Sequence, residues 1–281
     1  MVLTEQQKQF FDTFGYLGFP GLLKDSVGWI TEEFENVFKS RKDVVHDGSK
    51  RTMFPASFIE QNEKLCTLLD DPRIVGLLKG LLGEDFMYQG GDGNYYSGDT
   101  GWHSDLMPNC PMYKASRHVK VAFYLDPLTR DTGALRVVPG SHIRDDKFSG
   151  NLHKQINQLG IKGQDIPSVA LETVPGDILV FDHNLKHASY GGSKFRRMFT
   201  MNNCAYPHTP EARAEFDAEM GWYASQGVQK FHSDKMYKDA PEERLKHLKP
   251  LQAFEPMMQR LYKESVAKKE AEAKKLQPAN A

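Results

Sequence analysis

The feature that most constrains the fold is a series of short strand-like segments between about residues 84 and 207, separated by Gly, Pro, Asn and Asp. Several short strands with turn signals between them are typical of a β-sandwich or barrel. The predicted strands cover residues 85–89, 118–125, 133–138, 170–174, 178–181 and 196–206.

Helical patterns precede and follow this region. Thr4 and Gln7 form a capping-box pattern that predicts a first helix, and apolar residues recur at helical spacing over 25–39. Asp71 and Gly83 have the positions of an N-cap and a C-terminal stop for another helix. The last quarter of the chain is helical and charged. Helices followed by strands favour an α+β jelly-roll fold with the N-terminal helices packed on one sheet.

Three further segments near the N-terminus have less distinct patterns. Residues 15–21 alternate small and apolar side chains and predict a strand, whereas 58–69 predicts a helix. The polar segment 43–57 is interpreted as a loop that reaches over a cavity.

The chain of 281 residues is long enough to bury one large core. We therefore expect a single domain over residues 1–265, followed by a charged tail at 266–281. This domain would comprise a helical N-terminal part, a jelly-roll core and a helical C-terminal part, at 1–83, 84–207 and 208–265.

The composition excludes several classes of partner. With 36 basic and 37 acidic residues, the chain has no global field that would attract nucleic acid or an anionic membrane surface. No apolar run approaches the roughly 18 residues of a membrane span. Three cysteines without CxxC spacing are read as free thiols, which favours the cytoplasm. We expect a monomer or homodimer that binds a small molecule.

Trp102-His103-Ser104-Asp105 contains two metal-binding residue types two positions apart. In an extended segment, the side chains of His103 and Asp105 leave the backbone on the same side. An imidazole and a carboxylate held in this way can bind one face of a metal ion. One further histidine would complete the two-histidine, one-carboxylate set of non-haem Fe(II) oxygenases.

The segment 175–189 supplies a partner histidine. Pro-Gly-Asp predicts a turn, residues 178–181 predict a buried strand, and His187 follows the strand's end. Ligands at strand ends suit a rigid sheet that keeps a site open on one side. His183 is a competing ligand on the same segment. A purely structural role for His103 and His187 is the alternative at this point.

Residues 131–142, Asp-Thr-Gly-Ala-Leu-Arg-Val-Val-Pro-Gly-Ser-His, closely resemble the D/E-N-G-x-L-x-V-x-P-G-S-H element of the phytanoyl-CoA dioxygenase family. Thr132 replaces the family's usual Asn. Segments 14–21 and 175–181 are similar to the family's first strand and to the strand before its distal histidine. The resemblance covers about residues 3–206 and implies an Fe(II)- and 2-oxoglutarate-dependent oxygenase built on a double-stranded β-helix (jelly-roll, cupin-like) core.

The resemblance also implies roles for individual residues. His103, Asp105 and His187 would be the iron ligands and the catalytic centre. In the family, an arginine on the strand after the distal histidine holds the far carboxylate of 2-oxoglutarate. Arg196 aligns best with this arginine. Arg197 is the alternative, because the interval from the distal histidine is shorter than usual.

Two more residues are cofactor-binding candidates. Ser189 matches a hydroxyl position that assists the same carboxylate, although a turn role fits it equally. Lys120, on the predicted strand at 118–125, is the second of these cofactor-binding candidates. His142 belongs to the Pro-Gly-Ser-His turn and is interpreted as structural.

The implied reaction consumes O2 and 2-oxoglutarate, releases succinate and CO2, and oxidises a small, polar or anionic substrate. With Asp105 present, hydroxylation, desaturation or ring chemistry is favoured over halogenation. The alternatives are a non-catalytic jelly-roll protein that binds a metal or ligand, and an enzyme using another metal, such as zinc, on the same ligands. Residues flanking the ligands are the candidate pocket residues: Gln89, Asn94, Tyr95, Tyr96, Trp102, Asn109, Tyr113, Lys114, Arg117 and Lys120.

Overall fold

The computed structural model describes residues 1–42, 45–54, 57–105, 113–143, 154, 158 and 160–276. The helices with defined bounds are α1 (Glu5–Phe14), α2 (Val27–Ser40), α3 (Glu63–Cys66), α4 (Pro72–Leu82), α5 (Pro210–Ser225), α6 (Asp234–Tyr237), α7 (Glu242–Gln252) and α8 (Glu255–Leu276). The strands are β1 (Tyr16–Phe19), β2 (Thr52–Phe54), β3 (Met87–Tyr88), β4 (Gly93–Tyr96), β5 (Thr100–His103), β6 (His118–Tyr124), β7 (Leu135–Val137), β8 (Val169–Leu171), β9 (Ile178–Asp182), β10 (His187–Ser189) and β11 (Arg196–Cys204).

Two antiparallel sheets form the core of the molecule. The larger sheet has the order β1-β9-β6-β11-β4-β2, with β3 also paired to β11, and the smaller sheet has the order β5-β10-β7-β8. This arrangement of two antiparallel sheets with flanking helices confirms the predicted α+β double-stranded β-helix class.

The alternation along β6 separates a helix-facing side of the larger sheet from a cavity-facing side. Val121 and Phe123 belong to the cluster that also contains α2 and α4 residues, and the Phe123 ring stacks on Phe199 with centroids 4.3 Å apart. Ala122 and Tyr124 belong to the cluster between the two sheets. Burying each large apolar side chain contributes about 1.5–3 kcal/mol, which fixes the orientation of the strand.

The helix signals of the sequence appear as local hydrogen bonds. Thr4 and Gln7 form the predicted capping box of α1, and Asp71 accepts from the Arg73 backbone N–H at the start of α4. Gly83 ends α4 with a φ of +99°, a left-handed conformation that favours glycine. Among the helices of the described ranges, none has both the length and the apolar character needed to cross a bilayer.

Some predicted elements differ from the structure. The helix predicted over 58–69 is broken into a 3₁₀ turn, the four-residue α3 and a second 3₁₀ turn. The segment predicted as a loop contains β2, which pairs with β4 at the sheet edge. Both segments are short, so packing rather than periodicity decides their conformation. Cys66 and Cys204 are buried free thiols, whereas Cys110 lies outside the described residues.

Candidate metal and co-substrate site

A cavity of about 480 Å³ lies between the two sheets. Alternate residues of the larger sheet face it, including Lys120 on β6 and Arg196 and Asn202 on β11. Volumes of this size are typical of small-molecule sites.

Two short strands bring His103 and His187 together. β5 and β10 pair antiparallel, with His103 directly opposite His187, and the two rings have centroids 4.2 Å apart. Asp105 lies two residues after the end of β5, where its backbone N–H donates to the His183 carbonyl at 2.9 Å. One potential ligand atom from each of His103, Asp105 and His187 lies within 4.8 Å of the others.

The hydrogen bonds of both histidines leave the metal-facing nitrogens free. His103 Nδ1 lies 2.7 Å from the Gly101 carbonyl oxygen, and His187 Nδ1 lies 2.9 Å from that of Leu185. A carbonyl can only accept, so each Nδ1 carries the proton and each Nε2 keeps its lone pair. These Nε2 atoms are 3.8 Å and 3.6 Å from the carboxylate oxygens of Asp105. This donor set fits a divalent transition metal.

The protonation of this group suits metal binding. Burial lowers the pKa of His187 to about 4, so its imidazole is neutral at neutral pH. Burial alone would raise the pKa of the Asp105 carboxyl, but the Lys120 ammonium holds it well below its usual range. The Lys120 Nζ lies 2.8 Å from Asp105 Oδ2. A neutral imidazole and an ionised carboxylate are the forms that bind a metal.

Arg196 is a buried guanidinium at the other end of the cavity. It is 5% exposed and donates to the carbonyls of Gly133 and Gly98. Among the described residues no carboxylate forms an ion pair with it, and its Nε has no hydrogen-bond partner. Burial lowers the pKa of Arg196. An orphaned N–H on a buried cation fits a carboxylate of 2-oxoglutarate.

Two glycines allow Arg196 to occupy this position. A Cβ on Gly133 would lie 2.1 Å from Arg196 Nη1, and a Cβ on Gly192 would lie 2.2 Å from Nη2. Gly133 also has a φ of +97°. The guanidinium is therefore enclosed by backbone that only glycine can supply at these two positions.

Arg197 lies on the opposite face of β11, outside the cavity. Its guanidinium pairs with Asp126 at 2.6 Å and with Glu35 at 3.0 Å. Both carboxylates hold it on the helix side of the sheet, so of the two arginines only Arg196 lines the cavity. Ser189 also lines the cavity.

The predicted pocket residues divide into two groups. Gln89, Tyr96 and Lys120 line the cavity, and Asn109 lies outside the described residues. The others serve structural contacts instead: Trp102 donates to the Gly163 carbonyl and Arg117 pairs with Asp12. Contacts of the same kind are made by Asn94, Tyr95, Tyr113 and Lys114.

His183, the competing ligand candidate, and His142, which was predicted to be structural, have different surroundings. His183 lines the cavity but is not one of the three grouped ligand residues. His142 is buried and its Nε2 lies 3.2 Å from the Asp12 carbonyl oxygen, which is a structural contact.

Several cavity residues were not singled out from the sequence. Arg51 and Asp92 form an ion pair at 2.8 Å, and Asn202 and Tyr223 line the wall near Gln89. Alternation along the predicted strand at 196–206 places Asn202 on the Arg196 face, so its position could have been found. Tyr223 is on α5, and no local pattern predicts that this helix reaches the cavity.

Comparisons with known proteins show which family and which fold this chain resembles. The model of the family described as Phytanoyl-CoA dioxygenase (PhyH) matches residues 11–198. The chain is 27% identical over 157 residues to an ectoine dioxygenase of Sphingopyxis alaskensis, covering 47% of this chain and 50% of the relative. It is 36% identical over 88 residues to an uncharacterized protein of Mycobacterium tuberculosis, covering 31% of this chain and 28% of that protein. The chain thus spans half or less of these relatives.

Solved structures share the fold at low sequence identity. HygX from Streptomyces hygroscopicus, with nickel and 2-oxoglutarate bound, has a TM-score of 0.61 and 17% identity, covering 75% of this chain and 90% of that one. EctD from S. alaskensis, with 2-oxoglutarate and 5-hydroxyectoine, has a TM-score of 0.56 and 23% identity, covering 73% and 77%.

Proposed function

Since this chain belongs to the phytanoyl-CoA dioxygenase (PhyH) family of Fe(II)- and 2-oxoglutarate-dependent dioxygenases, we propose that it oxidises a small polar molecule with these cofactors. The small-molecule class is supported by the cavity of about 480 Å³. It is also supported by the structural relatives, since HygX has been solved with hygromycin B and EctD with 5-hydroxyectoine.

The observation that carries the proposal is the convergence of His103, Asp105 and His187. One potential ligand atom from each residue lies within 4.8 Å of the others, and each Nδ1–H is fixed by a carbonyl. We assign these three residues as the iron ligands. Three protein ligands on one side leave open positions for 2-oxoglutarate and O2.

Arg196 is the residue we assign to the far carboxylate of 2-oxoglutarate. Its buried guanidinium has an N–H available and no competing carboxylate among the described residues. Ser189 lines the same cavity and is assigned a supporting hydroxyl. When bound, iron and 2-oxoglutarate supply the oxidising power, with O2 consumed and succinate and CO2 released.

Other residues of the chain control the charge and the access of water around the proposed metal site. The Lys120 ammonium, 2.8 Å from Asp105 Oδ2, balances the negative charge of the carboxylate and orients it. Phe181 and Leu135 are buried residues that line the cavity and make part of its wall apolar. The Lys120 and Asp105 side chains are 15% and 18% exposed, and this burial strengthens the contact between them.

The proposal is tested by succinate formation. Purified protein would receive Fe(II), ascorbate, O2 and 2-oxoglutarate, and succinate would be measured over time. We expect turnover in the parent and its loss in His103→Ala and His187→Ala. His208→Ala is the matched control, because the His208 side chain is 66% exposed, pairs with Asp85 and does not line the cavity.

Binding measurements separate this function from a non-catalytic binding protein. If the parent binds Fe(II) and 2-oxoglutarate yet forms no succinate with any candidate substrate, the binding-protein alternative is favoured. If neither binds, the assignment of the site itself is wrong. Turnover supported by Zn(II) without 2-oxoglutarate would instead support the alternative metal chemistry.

A further inference from the structure

The end of the cavity away from Arg196 has polar groups that the metal and 2-oxoglutarate do not use. Along β11 the cavity-facing residues run from Arg196 to Asn202, six residues and therefore roughly 20 Å apart. Asn202 is opposite Lys120 on β6, and its carbonyl accepts from the Gln89 N–H at 2.8 Å. Tyr223 of α5 also lines the cavity.

His183 is the first unsatisfied group at this end. It is 4% exposed and lines the cavity, and neither ring nitrogen has a hydrogen-bond partner among the described residues. Its carbonyl accepts from the Asp105 N–H at 2.9 Å, so it lies next to a proposed metal ligand. A neutral imidazole ring in this position offers one donor and one acceptor.

Asn202 is the second unsatisfied group. Its Oδ1 is buried and has no hydrogen-bond partner within the described ranges. The unsatisfied atoms of His183 and Asn202 together therefore offer two acceptors and one donor. Buried groups of this kind are normally satisfied, and a ligand in the cavity would satisfy them.

The same groups disfavour a charged ligand. A carboxylate or phosphonate has only acceptors to place against the Asn202 oxygen. Among the described residues that line the cavity, an ammonium finds no unpaired carboxylate, because Asp92 is bonded to Arg51 and Asp105 is paired with Lys120. A hydroxyl group both donates and accepts, so it fits both His183 and Asn202.

We infer that His183 and Asn202 form the substrate subsite, and that the substrate is an uncharged small molecule with at least two hydroxyl groups. This inference rests on the proposed function and narrows its substrate class from a small polar molecule to an uncharged polyhydroxylated one. The hydroxyl groups anchor the molecule at the Asn202 end and present a C–H bond to the metal centre beside Asp105.

The test uses the iron-loaded enzyme with 2-oxoglutarate. A small-molecule extract of the cells that encode the chain is separated by ion exchange into neutral, anionic and cationic fractions. Each fraction is added, and succinate is measured above the level without extract. We expect stimulation by the neutral fraction, and we expect periodate treatment, which cleaves vicinal diols, to reduce it.

Variants of the subsite give a second measurement. Asn202→Leu and His183→Phe keep the approximate size of each side chain and remove its hydrogen-bonding atoms. We expect each to raise the amount of neutral fraction needed for half-maximal stimulation by about tenfold. Asn36→Leu, an exposed position on α2, is the matched control and should not raise it.

Each other result contradicts the inference. This subsite does not select a neutral polyol if only a charged fraction stimulates succinate formation, or if no fraction does. The same conclusion follows if the neutral fraction stimulates the parent and both variants equally. Calorimetric titration of 2-oxoglutarate into the Mn(II)-loaded parent distinguishes the two failures. If 2-oxoglutarate binds but the fractions behave as above, only this inference fails. If it does not bind, the proposed function fails as well.

Discussion

Adjacent arginines on one strand have different environments. Arg196 lies inside the cavity without an ion pair in the described part of the chain, whereas Arg197 is held outside by Asp126 and Glu35. Strand alternation predicts that only one of them faces inward. The direction is set by the apolar residues of β11 that pack against the helices, such as Phe199, which shares the face of Arg197.

Replacing Arg196 tests its assignment. Arg196→Lys keeps the positive charge but removes the planar fork, so we expect the Kd for 2-oxoglutarate to rise at least about tenfold. Arg197→Lys should leave this Kd unchanged and lower the melting temperature, because its links to Asp126 and Glu35 weaken. Calorimetry on the metal-loaded proteins measures both. Equal effects of the two variants on the Kd would contradict the assignment.

Gly192 provides an independent test of the same contact. In Gly192→Ala the new methyl would lie 2.2 Å from Arg196 Nη2, so the guanidinium must move. We expect weaker 2-oxoglutarate binding and unchanged metal affinity, as measured by separate titrations. Gly101→Ala is the control, because its Cβ meets nothing within 4 Å although Gly101 lies two residues before His103. Loss of metal binding in Gly192→Ala would show a wider disturbance.

At the scale of secondary-structure elements, short strands decide the position of the ligands. The sequence places His187 beyond the end of the preceding strand, but it begins the separate strand β10. Pairing of β10 with β5 sets His187 opposite His103. A three-residue strand has too little pattern to be recognised, and its partner is 84 residues away in the chain.

The cap of α4 is an element-scale test of stability. Asp71 Oδ1 accepts from the Arg73 N–H at 2.8 Å, and its carboxylate also pairs with the Arg73 side chain. We expect Asp71→Ala to lower the free energy of unfolding by about 1–2 kcal/mol. Asp71→Asn, which keeps a capping oxygen, should lose less. Urea unfolding followed by circular dichroism measures this, and an unchanged midpoint would contradict a role for the cap.

At the scale of the whole molecule, the C-terminal helices complete one side of the cavity. α5 carries Tyr223, which lines the cavity, and Glu219, which is 1% exposed. Glu219 accepts from Gln89 and Tyr113 and so links the helix to the sheet. The proposed substrate end therefore depends on contacts between distant parts of the chain. The division into a domain at 1–265 and a tail stays a prediction.

Glu219 should make global stability depend on pH. Burial raises its pKa from 4.5 to about 7, so the native state favours the protonated acid. The stability that it contributes is fully present below pH 4.5 and is lost as the pH rises through about 7. In Glu219→Gln this side chain cannot titrate. Between pH 4.5 and about pH 7, the free energy of unfolding should therefore fall less in the variant than in the parent. The difference between the two proteins should reach about 3 kcal/mol.

Urea unfolding of both proteins between pH 5 and pH 8 measures this difference. The exposed Glu211 lies on the same helix, and Glu211→Gln is the matched control that should follow the parent at every pH. Parallel curves for Glu219→Gln and the parent would mean that Glu219 has no raised pKa.

Much of the fold was predictable because its signals are local. The capping box at Thr4, the limits of α4 and the main strands all follow from nearby residues, and all are confirmed. The resemblance over 131–142 identified the family and the enzyme class, and both are confirmed by the family match. The residue types of the metal site were also visible in the sequence, and their roles stay predictions for the experiments above.

The sequence by itself determined the family, the α+β class and the residues that we propose as iron ligands, because motifs and periodicity are carried by neighbouring positions. Only the tertiary structure decided that Arg196 faces inward, that β10 aligns His187 with His103, and that His183 and Asn202 share one end of the cavity. A strand's pattern divides its side chains into two faces. Which face meets a cavity depends on packing against distant segments, and no local pattern records that choice.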